Sequence, residues 1–392
     1  MNRSETRSPM LDWLKTKWFY FFFALAALFT LWMDAVVAVN FLDGDTSEYM
    51  YRAYTMAQTN NLFTTACYRT TELRLFDAAI FFAPFFKIFS NWTLVRICGT
   101  VAAQGFYVLS FCYLLTQIGV SKAAKWTASA LLLMPFSTPY ARVVLYHLYY
   151  ITFISFSFWQ MGLLLRAANL TRENGWKSFI PLLLLALVWT AMGLIGIRYM
   201  MILLAPLCLQ CGYFLLRSCS GYADARKWIE ENRPSLANTP LRWLFLLAFS
   251  CLFYLIGYLL YKKYLFSFYG IHSTNEAMFM PIAGPEKYAG ILNAIFVDIG
   301  LRTSSEPVLS IRFIAIPCAL LSFGYLGWRS LKEGYLNPSQ KLNAQVPYGF
   351  FLITMLLNVF IFIFDTEARY YETYFVPVLA MAFPILALEL EN

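Results

Sequence analysis

The sequence predicts an all-α membrane protein, a polytopic bundle of about ten spanning helices. Of its 392 residues, 60% are hydrophobic and only 13% are charged, and a soluble domain of this composition would expose large apolar patches. Long apolar runs alternate with short loops that carry most of the basic residues, which is the pattern of a chain that crosses a bilayer repeatedly. We expect one integral-membrane domain over residues 1–392, and the net charge of +8 does not indicate a nucleic-acid partner.

The first predicted span begins after a basic N-terminal tail. Residues 1–17 carry four basic side chains, and the apolar run Trp18–Val39 follows them. The run is long enough to cross roughly 30 Å of hydrocarbon and too long for the core of a cleavable signal peptide. Because basic residues accumulate on the cytoplasmic side, we expect the tail to be cytoplasmic and the run to be an anchor.

Three carboxylates follow this span within six positions, namely Asp43, Asp45 and Glu48. Carboxylates at the end of a membrane span are costly to hold near hydrocarbon, so such a cluster favours a functional site. The alternative is a solvated loop that caps a helix, with Asp45 as the N-cap of a helix from Thr46 and Glu48 as its capping-box partner. Capping does not exclude catalysis.

The first outer loop, residues 40–93, is expected to hold two surface helices. Between Thr46 and Gln58, the apolar residues Tyr49, Ala53 and Met56 share one helical face, and Glu48 and Arg52 are spaced to pair on the other. We expect this helix to lie along the membrane surface.

The segment Leu75–Phe89 decides the topology, because a crossing here would invert every later loop. It is short and contains Asp77, Pro84 and Lys87, so it suits an interfacial or re-entrant helix better than a full span.

The remaining apolar runs alternate between the two sides, with basic loops inside and both termini in the cytoplasm. A long outer loop, residues 262–308, carries an amphipathic helix near residues 287–296 that would serve as a lid or as a passive surface helix. We expect a multi-pass protein of the bacterial inner membrane. The predicted spans after the first are roughly 94–117, 123–139, 149–165, 179–197, 200–216, 241–261, 309–328, 347–364 and 371–388.

Basic and aromatic polar residues accumulate on the predicted outer side with the acidic cluster. Arginine binds phosphate through two parallel hydrogen bonds, and a carboxylate beside an acceptor hydroxyl can take its proton, so the combination fits transfer from a phosphate-activated donor. Snorkelling to the headgroups is the alternative for each arginine, and an interfacial hydrogen bond is the alternative for the histidine. The candidate substrate-binding residues are Glu48, Arg142, His147, Arg198, Tyr199, Arg369 and Tyr370.

The sequence contains no dedicated set of metal ligands. Carboxylates alone can hold Mg²⁺ or Mn²⁺, so a divalent ion is left open and no other cofactor is expected. The close pair Cys208 and Cys211 lies in an apolar run without a histidine nearby, which is not a zinc pattern.

The order of these features resembles the integral-membrane glycosyltransferases of the C superfamily, which include the protein O-mannosyltransferases and the aminoarabinose transferases. The resemblance rests on a first span followed by acids, then a surface helix with Tyr49 and Ala53, then the aromatic segment ending Phe85–Phe89. Leu94-Val95-Arg96, Tyr140–Tyr150 and Arg369-Tyr370 extend it over most of the chain. In this chain a glycine separates Asp43 from Asp45, where family members often have adjacent acids.

The resemblance implies an inverting transfer from a polyprenyl-phosphate sugar to a glycan, lipid or protein acceptor on the outer or periplasmic face. It also implies that an aspartate of the first outer loop is the general base, here Asp45 or Asp43, while arginines hold the phosphate. A flippase or transporter of anionic lipid would use the arginines without a base. A scaffold of an envelope-assembly complex would need neither acid.

Overall fold

A computed structural model describes residues 9–37, 44–62, 76–148, 150–168, 179–194, 204–210, 240–265, 285–298 and 379–390, together with residues 212, 346–347, 349–357 and 377. Within these ranges every regular element is a helix, as the composition predicts. In chain order the α-helices are α1 Pro9–Val36, α2 Gly44–Thr59, α3 Ala79–Phe86, α4 Trp92–Ile118, α5 Lys122–Leu133, α6 Thr138–Tyr140, α7 Ile151–Ala168, α8 Phe179–Gly193, α9 Pro240–Leu260, α10 Pro285–Asp298 and α11 Phe383–Glu389.

Among the described residues, four helices are long and apolar enough to cross a membrane: Lys17–Val36, Trp92–Ile118, Ile151–Ala168 and Leu244–Leu265. A fifth crossing results if α5 and the helical segment Thr138–Tyr146, which bends away from it by 87°, count together. The helix α8 is apolar and has 15 residues. The other predicted spans lie wholly or partly outside the described residues, so the total of about ten remains a prediction.

The central helix of the described core is α4, which packs against α3, α5 and α7. Local signals set both of its ends. The Asn91 side chain accepts hydrogen bonds from the N–H groups of Thr93 and Leu94, at 2.9 and 3.2 Å, and Gly119 ends the helix with φ +89°. The neighbouring helix α7 comes close because it has Gly162 at the contact, where a Cβ atom would lie 2.8 Å from the Tyr113 ring.

The pair α8 and α9 packs through glycine on both helices. A Cβ atom on Gly257 would lie 2.2 Å from the Thr190 carbonyl oxygen, and one on Gly193 would lie 2.3 Å from that of Tyr254. Small residues let helix backbones approach closely in membranes, where apolar surface alone gives no drive to associate. The outward leucines of both helices, among them Leu183 and Leu252, are exposed as lipid-facing residues would be.

The first outer loop partly follows the sequence prediction. In α2, Tyr49, Ala53 and Met56 are buried as expected, since they form the apolar face that packs against α3. The helix begins at Gly44, so Asp45 lies inside the first turn and not at an N-cap before Thr46.

The expected position of Arg52 is wrong. The spacing of the sequence puts it on the polar face opposite Tyr49, but its side chain is 2% exposed and forms an ion pair with Asp77. Burial is possible because Asp77, just before α3, supplies the opposite charge within the α2–α3 contact.

The short helix α3 agrees with the interpretation of Leu75–Phe89 as a segment that does not span the membrane. Its eight residues rise only about 12 Å, far less than the hydrocarbon thickness. It lies against the start of α4, where a Cβ atom on Gly99 would overlap the Phe82 ring. This packing joins the surface helices of the loop to the spanning core.

Candidate functional site

Buried polar residues collect at one end of the described bundle, the end predicted to face outward. This end is formed by the last turn of α1, the pair α2 and α3, the first half of α4, and the segment Thr138–Leu148 that follows α5. Helix α1 contacts α5 at Thr30, whose hydroxyl donates a hydrogen bond to the Leu133 carbonyl at 3.0 Å. One turn further along α1, Asp34 faces the polar groups of α4 and of segment Thr138–Leu148.

Asp34 is the central side chain of this end. It is 2% exposed, and its Oδ1 accepts a hydrogen bond of 3.1 Å from Nε2 of Gln104 in α4. The same Nε2 donates to the Leu145 carbonyl oxygen at 3.2 Å. One amide group therefore joins three parts of the chain, α1, α4 and segment Thr138–Leu148. Asp34 Oδ2 has no hydrogen-bond partner among the described residues.

Two further groups belong to the surroundings of Asp34. Arg96, in the first turns of α4, is 3% exposed, and its positive charge is close enough to act on the Asp34 carboxylate. Tyr146 follows Leu145 in the chain, so its backbone lies next to the carbonyl that Gln104 binds. The Tyr146 hydroxyl makes no hydrogen bond within the described part of the chain. We call Asp34, Arg96, Gln104 and Tyr146 the Asp34 cluster.

Segment Thr138–Leu148 has an irregular backbone. Ser137 caps the single turn α6, which continues as a π-helix over Ala141–Tyr146. Leu148 then has φ +59°, a left-handed conformation that is unusual for a branched apolar residue, and its side chain is fully buried. Strained backbone positions persist only where the surrounding structure holds them in place. They and π-helices are enriched at functional sites.

A second buried charge pair lies between the surface helices. Arg52 of α2 binds Asp77, whose Oδ1 also accepts a hydrogen bond of 3.0 Å from the N–H of Ala79 at the start of α3. The Arg52 guanidinium carbon lies 5.5 Å from the centre of the Tyr49 ring. Asp77 thus caps α3 and binds α2 at once, which holds the two helices in a defined relation to α4.

The structure places some of the predicted site residues at this end. Asp45 lies in the first turn of α2, one helical turn before the half-buried Glu48. Arg142 and His147 both belong to segment Thr138–Leu148, Arg142 with an exposed side chain and His147 with a buried one, and the His147 N–H donates to the Arg142 carbonyl at 2.8 Å.

The other predicted residues are not placed. Asp43, Arg198, Tyr199, Arg369 and Tyr370 lie outside the described residues. That they lie at the same end of the bundle as Asp34 remains a prediction.

The sequence interpretation missed Asp34 and Gln104, and it used Arg96 only as a landmark in the resemblance. A signal for Asp34 was present, because it is the one carboxylate in the apolar run Trp18–Val39. An ionisable residue inside a membrane span indicates a functional site by default. Gln104 has no comparable signal, since an amide in a long helix is common and its partners are far away in the sequence.

The divalent-metal site that the sequence leaves open is not tested by the described residues. They hold no group of three or more His, Cys, Asp or Glu side chains arranged to bind an ion. The carboxylates of Asp43 and Asp45, which the sequence leaves open as ligands of Mg²⁺ or Mn²⁺, lie outside the side chains that the structure describes.

Comparison with known proteins gives one structural likeness. No protein-family model and no curated protein matches the sequence. The fold is similar to the crystal structure of the Archaeoglobus fulgidus oligosaccharyltransferase tethered with an acceptor peptide containing the NVT sequon, with 16% identity and a TM-score of 0.49. The match covers 97% of this chain and 50% of the other, so the chain spans about half the length of that protein. At this level the likeness assigns neither a family nor an activity.

Proposed function

We propose that the chain is a membrane glycosyltransferase that moves a sugar from a polyprenyl-phosphate donor to a cell-envelope acceptor on the outer face. The observation that supports this proposal most is the collection of buried charge at one end of the bundle. Asp34, Arg52, Asp77 and Arg96 are each at most 3% exposed there, and Arg52 lies on α2, the helix that carries Asp45. Buried ionisable groups are costly in a membrane protein, so they indicate chemistry or substrate binding at that end.

Asp45 or Asp43 is the proposed general base. The acceptor oxygen attacks the anomeric carbon of the sugar from the side opposite the phosphate, and the bond between that carbon and the phosphate oxygen breaks. The leaving phosphate keeps the electron pair, and the acceptor's proton passes to the carboxylate. A carboxylate in the first turn of a helix is favourably placed electrostatically, because the helix N-terminus carries partial positive charge.

Arginines are the proposed phosphate ligands. Arg142 has an exposed side chain on segment Thr138–Leu148, and Arg198 and Arg369 are the other candidates. A guanidinium group stabilises the negative charge that grows on the leaving phosphate, and its planar fork matches two phosphate oxygens. The buried Arg52 is held by Asp77, so it supports the helix that carries Asp45.

The experiment that tests this function follows donor consumption. Purified wild-type protein and the variants Asp45→Asn and Asp43→Asn are incubated with a panel of polyprenyl-phosphate sugars and a lipid extract of the host. We expect one of the two variants to lose about 10²-fold or more in turnover while still binding the donor, because general-base catalysis contributes about 10²–10⁴-fold. Ser47→Ala, an exposed change on the same helix, is the matched control.

The rival functions predict different results. A flippase would bind the lipids without consuming them, and its transport would depend on the arginines and not on Asp45. A scaffold would be indifferent to both aspartate changes. Consumption by the wild type that neither variant reduces would contradict a base in the first outer loop.

The sidedness of the site is tested separately. In a cysteine-free background, Leu62→Cys lies in the predicted outer loop and Lys122→Cys in the predicted inner loop, and both parent side chains are exposed. An impermeant thiol reagent should label the first from outside and the second only after the membrane is opened. The reverse pattern would move the whole Asp34 cluster to the cytoplasmic side.

A further inference from the structure

Helix α4 holds segment Thr138–Leu148 at two points. Near the end of the segment, Nε2 of Gln104 donates a hydrogen bond to the Leu145 carbonyl oxygen at 3.2 Å. Near its start, the hydroxyl oxygens of Tyr107 and Tyr140 lie 3.2 Å apart, within hydrogen-bond distance. These four residues are at most 6% exposed. Both contacts therefore lie in the low dielectric of the bundle, where a hydrogen bond is stronger than in water.

The contact at the start of the segment is a chain of three groups. The Tyr140 hydroxyl donates to the Leu132 carbonyl oxygen in α5, so its one hydrogen is already used. In the pair of tyrosines the Tyr107 hydroxyl is therefore the donor. The chain joins α4, the end of α5 and the turn α6, and it stabilises the bend at which segment Thr138–Leu148 leaves α5.

The segment runs antiparallel to α4 between the two contacts. Tyr140, early in the segment, pairs with Tyr107 of α4. Leu145, later in the segment, pairs with Gln104, which precedes Tyr107 in α4. Residues three apart are neighbours on a helix surface, so one face of α4 makes both contacts. Arg142 lies in the chain between Tyr140 and Leu145, so its backbone is held on both sides.

Gln104 also satisfies the end of the π-helix Ala141–Tyr146. The last carbonyl groups of a helix have no partner within it, and the Leu145 carbonyl is one of them. The second hydrogen of the same amide nitrogen is donated to Asp34 Oδ1 at 3.1 Å, so both hydrogens are used and the orientation of the amide is fixed. A carboxyl group offers an accepting oxygen whether it is protonated or ionised, so this orientation does not depend on the charge of Asp34.

The Arg142 side chain is exposed, whereas Ala141 before it and His147 at the end of the π-helix are buried. The guanidinium group therefore extends from a backbone that is packed on both sides. A planar guanidinium binds two phosphate oxygens only in a narrow range of orientations. A displacement of about 1 Å at a group that contacts the reacting atoms can cost about 10²-fold in rate.

We propose that Gln104 and Tyr107 are positioning residues, which hold Arg142 in place for the phosphate of the lipid donor. This role rests on the proposed function, in which Arg142 is a phosphate ligand. It assigns to the middle of α4 a part in phosphate binding, exerted through the backbone of segment Thr138–Leu148.

The test uses variants that preserve size, each with a matched control. Gln104→Met removes both donated hydrogen bonds, and Tyr107→Phe removes only the hydroxyl. Gln160→Met is the control for the first variant, because Gln160 of α7 is 1% exposed and its amide makes no hydrogen bond within the described ranges. Ser110→Ala is the control for the second, because the Ser110 hydroxyl donates to a carbonyl of its own helix at 2.7 Å.

Two variants at Asp34 test the orientation of the Gln104 amide without substrate. Asp34→Asn keeps an oxygen that accepts from Gln104, whereas Asp34→Leu removes every acceptor. We expect Asp34→Leu and Gln104→Met to speed deuterium exchange in the peptide that contains residues 138–148, as measured by mass spectrometry, and Asp34→Asn to stay close to the wild type. Wild-type exchange in both Asp34→Leu and Gln104→Met would refute the support of this segment by Gln104.

Turnover of a sugar lipid measures the effect on transfer. In Gln104→Met and in Tyr107→Phe, kcat should fall by about tenfold to 10²-fold. Donor binding should fall less, because the phosphate gains its second charge only as the sugar leaves, and the interaction with Arg142 is strongest at that stage. The controls Gln160→Met and Ser110→Ala should keep the wild-type kcat.

The variant Arg142→Ala separates positioning from general destabilisation. In its background, Gln104→Met and Tyr107→Phe should lower kcat per folded molecule no further, because changes that act through one group are not additive. If the losses multiply instead, Gln104 and Tyr107 do not act through Arg142. The positioning role would then be wrong, and the transferase would stand.

The same cycle can be measured without turnover, as binding of undecaprenyl phosphate. Arg142→Ala and Gln104→Met should each weaken binding several-fold, and the double variant should bind no more weakly than Arg142→Ala alone. This result in a protein that consumes no sugar lipid would refute the transferase and keep the positioning of Arg142 at a phosphate site. Consumption of sugar lipids with wild-type binding and kcat in Arg142→Ala would keep the transferase and overturn the positioning role.

Discussion

The pair α2 and α3 and the pair α8 and α9 are both close helix contacts, but they are stabilised in opposite ways. Between α2 and α3 the contact buries an ion pair, Arg52 with Asp77. Between α8 and α9 it consists of backbone against backbone at Gly193 and Gly257. The first pair lies beside the Asp34 cluster, whereas the second presents leucines outward.

The difference shows which helix contact includes the desolvation cost of buried charges. Two helices in lipid can associate by close packing of small residues alone, as α8 and α9 do. Burying an ion pair costs desolvation free energy that the attraction between the two charges can fail to offset. We therefore infer that the Arg52–Asp77 pair fixes the geometry of the two helices. We therefore expect changes in the α8–α9 pair to alter folding only, and changes near α2 to alter folding and turnover together.

The largest effect is expected from Arg52→Met. It leaves Asp77 buried without its partner, which should lower the free energy of unfolding by about 3–5 kcal/mol. Adding Asp77→Asn should restore most of this loss, because the second change removes the isolated charge and keeps an oxygen for the Ala79 N–H. Denaturant unfolding in detergent measures both variants. A loss below about 1 kcal/mol in the single variant would contradict a buried, dry ion pair.

A smaller effect is expected from Gly257→Ala. The new Cβ atom would lie 2.2 Å from the Thr190 carbonyl, so α8 and α9 have to separate, at a cost of about 1–3 kcal/mol. Turnover per folded molecule should not change, because the contact between α8 and α9 contains none of the residues of the Asp34 cluster. Reduced turnover at full folding would show that the two regions are coupled.

The same substitution at Gly105 is the control for Gly257. Gly105 lies in α4, and an added methyl group there would meet no atom within 4 Å, so Gly105→Ala should raise stability by about 0.5–1 kcal/mol. Opposite signs at the two glycines would show that the close approach, and not helix propensity, decides the result at Gly257.

The smallest effect is expected from Lys87→Met. The Lys87 ammonium donates to the Asn60 side chain at 2.5 Å, which also joins the ends of α2 and α3, but this contact is exposed. Exposed polar contacts contribute little, so the change in stability should stay within about 0.5 kcal/mol. A loss as large as that of Arg52→Met would mean that burial does not distinguish the two contacts.

Several helices could be predicted from the sequence because the patterns that indicate them lie within the helices themselves. The run after residue 17 predicts a spanning helix by length and composition, and the structure has a continuous apolar helix of sufficient length at Lys17–Val36. The charges and proline in Leu75–Phe89 predict a short helix, and α3 has eight residues. The buried face of α2 followed from the spacing of Tyr49, Ala53 and Met56.

The candidate site followed only in part. The sequence directed attention to the first outer loop and to Arg142 and His147, and the structure places α2 and segment Thr138–Leu148 at the same end of the bundle. It did not predict that Arg52 pairs with Asp77, because a partner on another helix leaves no signal in the spacing of residues along α2. Asp34 was visible as a lone carboxylate but had no assigned partner.

Composition and apolar run length were enough to predict a helical membrane protein and the approximate positions of its first helices, since both depend on neighbouring residues. Only the tertiary structure decided which polar groups meet. Asp34 and Gln104 are 70 residues apart, and Arg52 and Asp77 are 25 apart. The partners of a buried charge depend on how helices pack and turn about their axes, and the low dielectric inside the bundle makes those few long-range contacts the energetically decisive ones.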